Sequence, residues 1–346
     1  MSAPLVDEPW GAIGDAIAFA GSCITGDPDP LNPAELTDGT QYVMRIVQAI
    51  AETSTVPLDF DRPSFLTMRE SVRHLGAAGP DIDYDVAVLA PGRRHRITGQ
   101  RGGAAYVGIV VYGAGGAAGA STILGAVDVD ELVDADGRFV FEVDHPGAAR
   151  VIVRQYFHDR ATQAAGTWQI ESSEPAHGDA AAAPSPQMAA LRIANAAETI
   201  RWNAQLNRLW TPERREHPNE FVRLGADEIV AAIPNPDVTY SFSWWRIADD
   251  EALVIDVDPP PARYWAIQLC DRWFQSYPQR RTNLNDRQVT RESDGSVRCV
   301  IAASDPGVGN WLDSGGHTTG VVFFRWLHAE PTSLPSCEVV AFDGLG

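Results

Sequence analysis

Near the carboxyl terminus, an aspartate and a histidine flank one serine and two glycines in the order Asp313, Ser314, Gly315, Gly316, His317. Two adjacent glycines allow a tight turn, which could bring the Asp313 carboxylate to one nitrogen of the His317 imidazole. The other nitrogen would then act as a general base. A guanidinium could stabilise negative charge that develops in such a reaction. The hypothesis is a catalytic set of Asp313, His317 and Arg281. The alternative is that the polar pair only fixes the loop.

The segment before this loop combines polar and aromatic side chains between strand-like runs. Guanidinium and amide groups have a donor geometry that can hold a carboxylate, a sulfate or a polyol, and aromatic rings can wall a small-molecule cavity. The candidate binding residues are Arg280, Asn283, Asn285, Trp265, Trp273, Tyr277, Trp311 and Asp305. The competing interpretation is that the arginines anchor the loop to acidic neighbours, the aromatic residues fill the core, and Asp305 stabilises an Asp-Pro-Gly turn.

Several mechanisms are disfavoured by what the sequence lacks. All 27 basic residues are arginine, so there is no lysine for a Schiff base, for pyridoxal phosphate or for a phosphate-binding loop. No HExxH, HxH or CxxC pattern is present, which disfavours a metal site. The GxSxG pattern of many serine hydrolases is also missing. We therefore expect a site that uses neither a cofactor nor a metal.

The composition of the 346-residue chain is that of an acidic globular protein. Hydrophobic residues make up 45% of it and the net charge is -19, which disfavours nucleic acid and anionic membrane as partners. The amino terminus is acidic where a signal peptide needs basic residues, and no apolar run approaches the length of a membrane helix. We expect a cytoplasmic protein whose partner is a small molecule, and the oligomeric state is left open. The four widely spaced cysteines, Cys23, Cys270, Cys299 and Cys337, fit no disulfide framework. Cys270 and Cys299 lie in apolar strand-like runs and are expected to be buried thiols.

The order of helical and strand-like segments predicts an α+β fold that is mainly antiparallel β. Residues 9–22 and 38–53 have helical periodicity, with Asp38 placed to cap the second helix. Short runs with a period of two follow. An alanine- and proline-rich stretch, residues 174–187, is typical of a linker, and residues 187–210 form an amphipathic helical pattern. Strand-like runs then continue to the end of the chain.

These elements fit two β-sandwich or jelly-roll-like regions with an N-terminal helical layer and a connecting helix. The first predicted domain, residues 1–178, contains the helical layer and the first antiparallel β region. The second, residues 188–346, contains the connecting helix and the C-terminal sandwich.

Three C-terminal motifs resemble a known family, the one whose C-terminal module is domain of unknown function 1214. They are YWAIQLCDRWFQS, RRTNLN and DGSVRCVIAASDPGVGNWLDSGGHTTGVVFFRW. A further block, GPDIDYDVAVLAPGRRHRITGQRG, is similar to the region that precedes this module in longer members, where GDNPD is usual and this chain has AAGPD. The resemblance implies an antiparallel β-sandwich module and brings no established reaction.

Two functions remain open at this point. The first is a cofactor-independent enzyme, a hydrolase or lyase, acting on a moderately hydrophobic small molecule with a polar or anionic group. In it His317 is the base, Asp313 orients the imidazole and Arg281 holds the anion. The second is a non-catalytic binding protein for a carbohydrate or lipid-like metabolite. Loss of turnover with retained affinity in His317→Ala would indicate the enzyme, and loss of affinity in Trp311→Ala would indicate the binding protein.

Overall fold

Helices form one layer of the molecule. The structure is a computed structural model that describes residues 7–56, 59–68, 75–114, 122–173, 185–225, 235–277 and 279–345. Its helices are α1 (Asp7–Thr25), α2 (Pro33–Thr55), α3 (Pro186–Ala204), α4 (Leu206–Trp210) and α5 (Pro212–Glu216). Apolar residues of α1, α2 and α3 pack together in one buried cluster. The single helix predicted at residues 187–210 is therefore interrupted after Ala204.

The second helix starts earlier than the apolar periodicity indicates. Asn32 accepts a hydrogen bond from the Glu35 amide at 2.9 Å, and the Glu35 carboxylate accepts one from the Asn32 amide at 2.9 Å. This reciprocal pair is a capping box, which satisfies two backbone donors at the helix start. The prediction that Asp38 caps the helix is wrong, because Asp38 lies within α2.

The first β region is a sandwich of two antiparallel sheets. Its strands are β1 (Leu66–Thr67), β2 (Ile82–Val88), β3 (His95–Gln100), β4 (Tyr106–Gly113), β5 (Ile123–Asp128), β6 (Arg138–Val143), β7 (Ala148–Tyr156) and β8 (Thr167–Ser172). One sheet has the order β1-β2-β7-β4-β5 and the other has the order β6-β3-β8. Alternate residues of both sheets, among them Ile97, Ile109 and Val153, are buried between them.

The second β region is a second sandwich. Its strands are β9 (Val222–Arg223), β10 (Val238–Arg246), β11 (Glu251–Val257), β12 (Tyr264–Asp271), β13 (Asn283–Asn285), β14 (Val297–Ala302), β15 (Trp311–Asp313), β16 (Thr319–Leu327) and β17 (Ser336–Ala341). The order is β13-β12-β16-β10-β9 in one sheet and β15-β14-β11-β17 in the other. The pairing of β14 with β15 is parallel, and the other strand pairs of the described residues are antiparallel. The predicted α+β fold, mainly antiparallel β, is confirmed.

The two sandwiches pack through their five-stranded sheets. Ile82, Tyr106 and Tyr156 of the first contact Tyr264 and Leu327 of the second in a shared buried cluster. The four sheets are thus stacked, and the five-stranded sheets form the middle layers. The predicted division into residues 1–178 and 188–346 stays a prediction, and most of the predicted linker lies outside the described residues.

Two sequence expectations can be compared directly with the coordinates. All four cysteines are free thiols; Cys23, Cys270 and Cys299 are buried and Cys337 is partly exposed. Within the described ranges, no helix combines the length and the apolar character needed to cross a membrane.

Candidate functional site

The loop after β15 folds as the glycine pair predicts. Gly315 and Gly316 both have positive φ angles, 63° and 82°, and the His317 amide donates to the Ser314 carbonyl at 3.1 Å. Successive positive φ angles are costly for residues with a side chain and are easily adopted by glycine. The turn therefore brings Ser314 and His317 close together in the loop just before β16.

The carboxylate at the His317 imidazole belongs to a different element from the one predicted. Nε2 of His317 lies 2.9 Å from Oδ2 of Asp38, a residue of α2 that is 279 positions away in the chain. The Asp313 carboxylate instead accepts a hydrogen bond from the Gly315 amide at 2.7 Å. The structure therefore contradicts the predicted contact between Asp313 and His317, because Asp313 is engaged within its own turn.

Helix α2 reaches His317 because its first turns are fastened to the same loop. Asn32 donates to the Gly316 carbonyl at 2.9 Å, and Glu35 accepts from the Thr318 amide at 3.2 Å. At Gly39 the helix lies so close to Trp273 that a Cβ atom would sit 2.6 Å from the indole ring. Glycine at this position allows the approach that brings the neighbouring Asp38 to the imidazole.

His317 lines a small, partly open cavity together with Ser314, Asp313, Tyr277, Asp271 and Cys270. The space is sufficient for about one water molecule. His317 is 2% exposed, and its Nδ1 is buried without a hydrogen-bond partner among the described residues. In the neutral tautomer whose Nε2 donates to Asp38, Nδ1 is a proton acceptor. A polarised imidazole therefore borders a space that a water molecule can enter.

A second carboxylate supports the wall of this cavity. Asp271 accepts hydrogen bonds from the Gln275 side chain and from the Tyr277 hydroxyl, both at 2.7 Å. Burial raises the pKa of the Asp271 carboxyl, although His317 and these hydrogen bonds oppose the shift. Burial and the neighbouring Asp271 together raise the pKa of Tyr277. Tyr277 is therefore a neutral, fixed hydroxyl at the cavity.

The two adjacent arginines differ in their relation to the cavity. The Arg280 guanidinium lies 5.4 Å from the centre of the Tyr277 ring and against Gly315, where an added Cβ would overlap it. In the described part of the chain, its guanidinium has no ion-pair or hydrogen-bond partner. Arg281 is exposed and donates to the Gly309 carbonyl. Arg280 is therefore the cation at the turn, in place of the predicted Arg281.

The two asparagines predicted to bind a ligand lie elsewhere. Asn283 and Asn285 both donate to Oδ2 of Asp81 at 2.8 Å. The Tyr264 hydroxyl donates to the same oxygen at 3.1 Å. Asp81 immediately precedes β2, so these contacts join the two sandwiches. The amide groups are thus occupied by a structural carboxylate.

Two of the predicted aromatic walls are core residues, and a third is partly buried. Trp265 packs between the sheets of the second sandwich, and Trp273 packs among the helices. Trp311 packs on the outer face of the four-stranded sheet and donates to the Ala302 carbonyl at 3.0 Å. Asp305 is exposed and accepts from the Gly307 amide at 2.8 Å, as in the turn interpretation. Of the predicted binding residues, the cavity lining contains Tyr277 alone.

Sequence reasoning missed two residues of this site. Asp38 carries no local signal, because its partner is contributed by a loop that is distant in the sequence. Ser314 lies inside the Asp313–His317 motif, but the GxSxG pattern that marks many nucleophilic serines does not surround it. Across the described ranges, no group of three or more His, Cys, Asp or Glu side chains is arranged to hold a metal ion.

The known proteins that this chain is similar to indicate its fold, and their descriptions name no activity. A family model described as a protein of unknown function, DUF1254, matches residues 218–331. Its number differs from the 1214 of the sequence resemblance, but a domain of unknown function is present as expected. No curated protein matches the chain.

Several solved structures are similar to this chain. A crystal structure of an uncharacterised protein from Burkholderia cenocepacia is 27% identical, covers 97% of each chain and has a TM-score of 0.86. The VPA0106 protein from Vibrio parahaemolyticus is 11% identical over 94% of this chain and 100% of that chain, with a TM-score of 0.47. The first of these has the same arrangement of helices and sheets over almost its whole length.

Proposed function

We propose that this protein is a cofactor-independent hydrolase in which His317 acts as the general base. The observation that carries the proposal is the state of the imidazole: Nε2 is held by Asp38 at 2.9 Å, while Nδ1 has no partner within the described structure. A base oriented in this way removes a proton from a hydroxyl group during attack on a substrate. The cavity beside it has room for such a hydroxyl, which favours hydrolysis over elimination.

The substrate is a moderately hydrophobic small molecule with a polar or anionic group. The cavity is water-sized, so only the reacting group of the substrate enters it. Arg280 lies at the same turn and supplies a permanent positive charge for an anionic group or for charge that develops in the transition state. The role predicted for Arg281 passes to Arg280 in this proposal, and the role of Asp313 passes to Asp38.

The proposal is tested by hydrolysis assays on purified protein with panels of chromogenic esters, thioesters and amides. His317→Gln should lower kcat by about 10²-fold or more, because removal of a general base costs this much. His217→Gln is the matched control, since His217 is exposed at the end of α5. Retention of full turnover in His317→Gln would refute the assignment. Ligand binding without any turnover by the wild-type protein would indicate the binding protein instead.

A further inference from the structure

We propose that Ser314 is the nucleophile of this site and that hydrolysis proceeds through a covalent acyl-serine intermediate. This inference rests on the proposed hydrolase function and adds a named nucleophile and a substrate class, carboxylic esters and thioesters. Ser314, His317 and Asp38 together supply a hydroxyl, a base and an orienting carboxylate.

The Ser314 hydroxyl is buried and available. Ser314 is 6% exposed, and its Oγ has no hydrogen-bond partner among the residues that the structure describes. A buried hydroxyl without a partner loses hydration and gains nothing in return, so such groups are uncommon in folded proteins unless they serve a function or contact a water. Nδ1 of His317, which lines the same cavity, is likewise buried without a hydrogen-bond partner among the described residues. Two unpaired groups of complementary type thus line the same cavity, and in the resting protein they do not hydrogen-bond to each other.

Other potential nucleophiles in the cavity lining are engaged or unreactive. Burial raises the pKa of the Cys270 thiol, so it stays protonated. The Thr282 hydroxyl donates to the Tyr277 carbonyl at 3.1 Å, and the Tyr277 hydroxyl donates to Asp271 at 2.7 Å. Among these lining residues, the hydroxyl that is left without a partner is that of Ser314.

The cavity lining also includes a residue with an unpaired N–H donor. Trp245 lines it and is 1% exposed. Its indole N–H is buried with no acceptor in the described ranges. An N–H donor that has no acceptor in the resting protein can stabilise negative charge as it forms on a carbonyl oxygen. Arg280, beside Gly315, adds a positive charge at the same turn.

The reaction consists of two balanced steps. In the first, Oγ of Ser314 bonds to the carbonyl carbon and its proton passes to Nδ1 of His317. The bond from that carbon to the leaving oxygen or sulfur breaks, and the leaving group takes the proton. In the second, water gives a proton to Nδ1 while its oxygen attacks the acyl carbon. The carboxylic acid leaves, and Oγ of Ser314 recovers the proton.

The inference is tested on the full-length protein with diisopropyl fluorophosphate and with p-nitrophenyl acetate. The expected results are a covalent adduct that peptide mass spectrometry maps to Ser314, and a burst of p-nitrophenolate equal to one per protein molecule. Ser314→Ala should abolish both and lower steady-state turnover by about 10³-fold or more. Ser336→Ala, in an exposed position of β17, should leave both unchanged. Asp38→Asn should slow the labelling of an intact Ser314.

Three outcomes would overturn the inference. Turnover by Ser314→Ala at the wild-type rate, together with loss in His317→Gln, would show that water attacks directly, and the hydrolase proposal would stand without the acyl intermediate. An adduct on another residue would name a different nucleophile. Absence of both adduct and hydrolysis in wild-type protein, with native near-ultraviolet circular dichroism, would remove both proposals and identify the cavity as the place of a structural water.

Discussion

The imidazole of His317 takes its chemical character from the carboxylate that contacts it. Asp38 is 16% exposed at its side chain and His317 is 2% exposed, so their contact is largely shielded from solvent, which strengthens it. In the neutral imidazole this contact places the proton on Nε2 and leaves Nδ1 as the acceptor. A neutral amide at the same position can present either an oxygen or an NH₂ group to the ring. An asparagine at position 38 would therefore affect the tautomer of His317 rather than the position of its ring.

We expect Asp38→Asn to lower kcat by about 10²- to 10⁴-fold with little change in KM, since the substitution disturbs the tautomer of the base and leaves substrate contacts in place. The measurement is steady-state kinetics on the best ester of the panel. Asp15→Asn, on the exposed side of α1, is the matched control and should retain wild-type kinetics. A change in KM alone would mean that Asp38 contacts the substrate instead of orienting His317.

Helix α2 is the element that carries this carboxylate, and buried ion pairs hold its first turn in place. Glu35 lies 2.8 Å from the Arg272 guanidinium, and both side chains are 0% exposed. Arg272 also lies 3.2 Å from Asp27, which precedes the helix. Burial by itself raises the pKa of Glu35, but the Asn32 amide and Arg272 outweigh it and leave the pKa lowered. The charged form of Glu35 is thus part of what fastens α2 to the second sandwich.

This lowered pKa predicts a pH dependence of stability. A carboxyl whose pKa is lower in the folded state contributes stability above its ordinary value of 4.5, and that contribution is lost as the pH falls through the folded-state pKa. Glu35→Gln should be less stable than wild type by about 3 kcal/mol at pH 7, with the difference narrowing below about pH 4. Urea unfolding between pH 3 and about pH 7 measures both effects.

The matched control for this element is Glu142→Gln. Glu142 pairs with Arg96 at 2.6 Å, but both side chains are about half exposed, so the loss should be about 1 kcal/mol or less. An equal loss of stability in the two variants, or a difference for Glu35→Gln that grows toward acid pH, would contradict the proposed role of the buried pair.

On the scale of the whole molecule, the two sandwiches are joined by a carboxylate of the first sandwich that accepts hydrogen bonds from side chains of the second. Asp81 of the GPDIDYDV block accepts from Asn283 and Asn285 of the RRTNLN block. Burial raises the pKa of the Asp81 carboxyl against the opposing effect of these donors and Tyr264. Nearby, His158 lies 3.1 Å from Asp286 across the same boundary. Two blocks that are far apart in the sequence therefore form one joint.

Asp81→Ala should destabilise the protein by about 3 kcal/mol, because it leaves the amides of Asn283 and Asn285 and the hydroxyl of Tyr264 without their acceptor. Chemical denaturation at neutral pH measures this loss. Asp305→Ala is the control of the same type at an exposed turn, with an expected change below about 0.5 kcal/mol. Equal effects of the two substitutions would show that the joint contributes no more than an ordinary turn.

The local parts of the fold were predictable from neighbouring residues. The period-two runs correspond to β2 through β7, and the glycines of the 313–317 loop adopt the positive φ angles that a tight turn requires. The start of α2 was also readable, since Asn32 and Glu35 have capping-box spacing. The error there came from following apolar periodicity, which does not begin until after the first turn. Likewise, Trp265 and Trp273 are of a residue type that often lines binding sites, but in the structure both are buried in the hydrophobic core.

The sequence by itself determined most of the strand pattern, the mainly antiparallel class of the sheets and the glycine turn that precedes His317. These features depend on residues within a few positions of one another, so the local periodicity of the sequence is enough to predict them. The tertiary structure alone decided that Asp38 is the partner of His317, that Arg280 rather than Arg281 lies at the turn, and that Asn283 and Asn285 bind Asp81. Those contacts join residues brought together by packing of layers, and spacing along the chain carries no information about such distances.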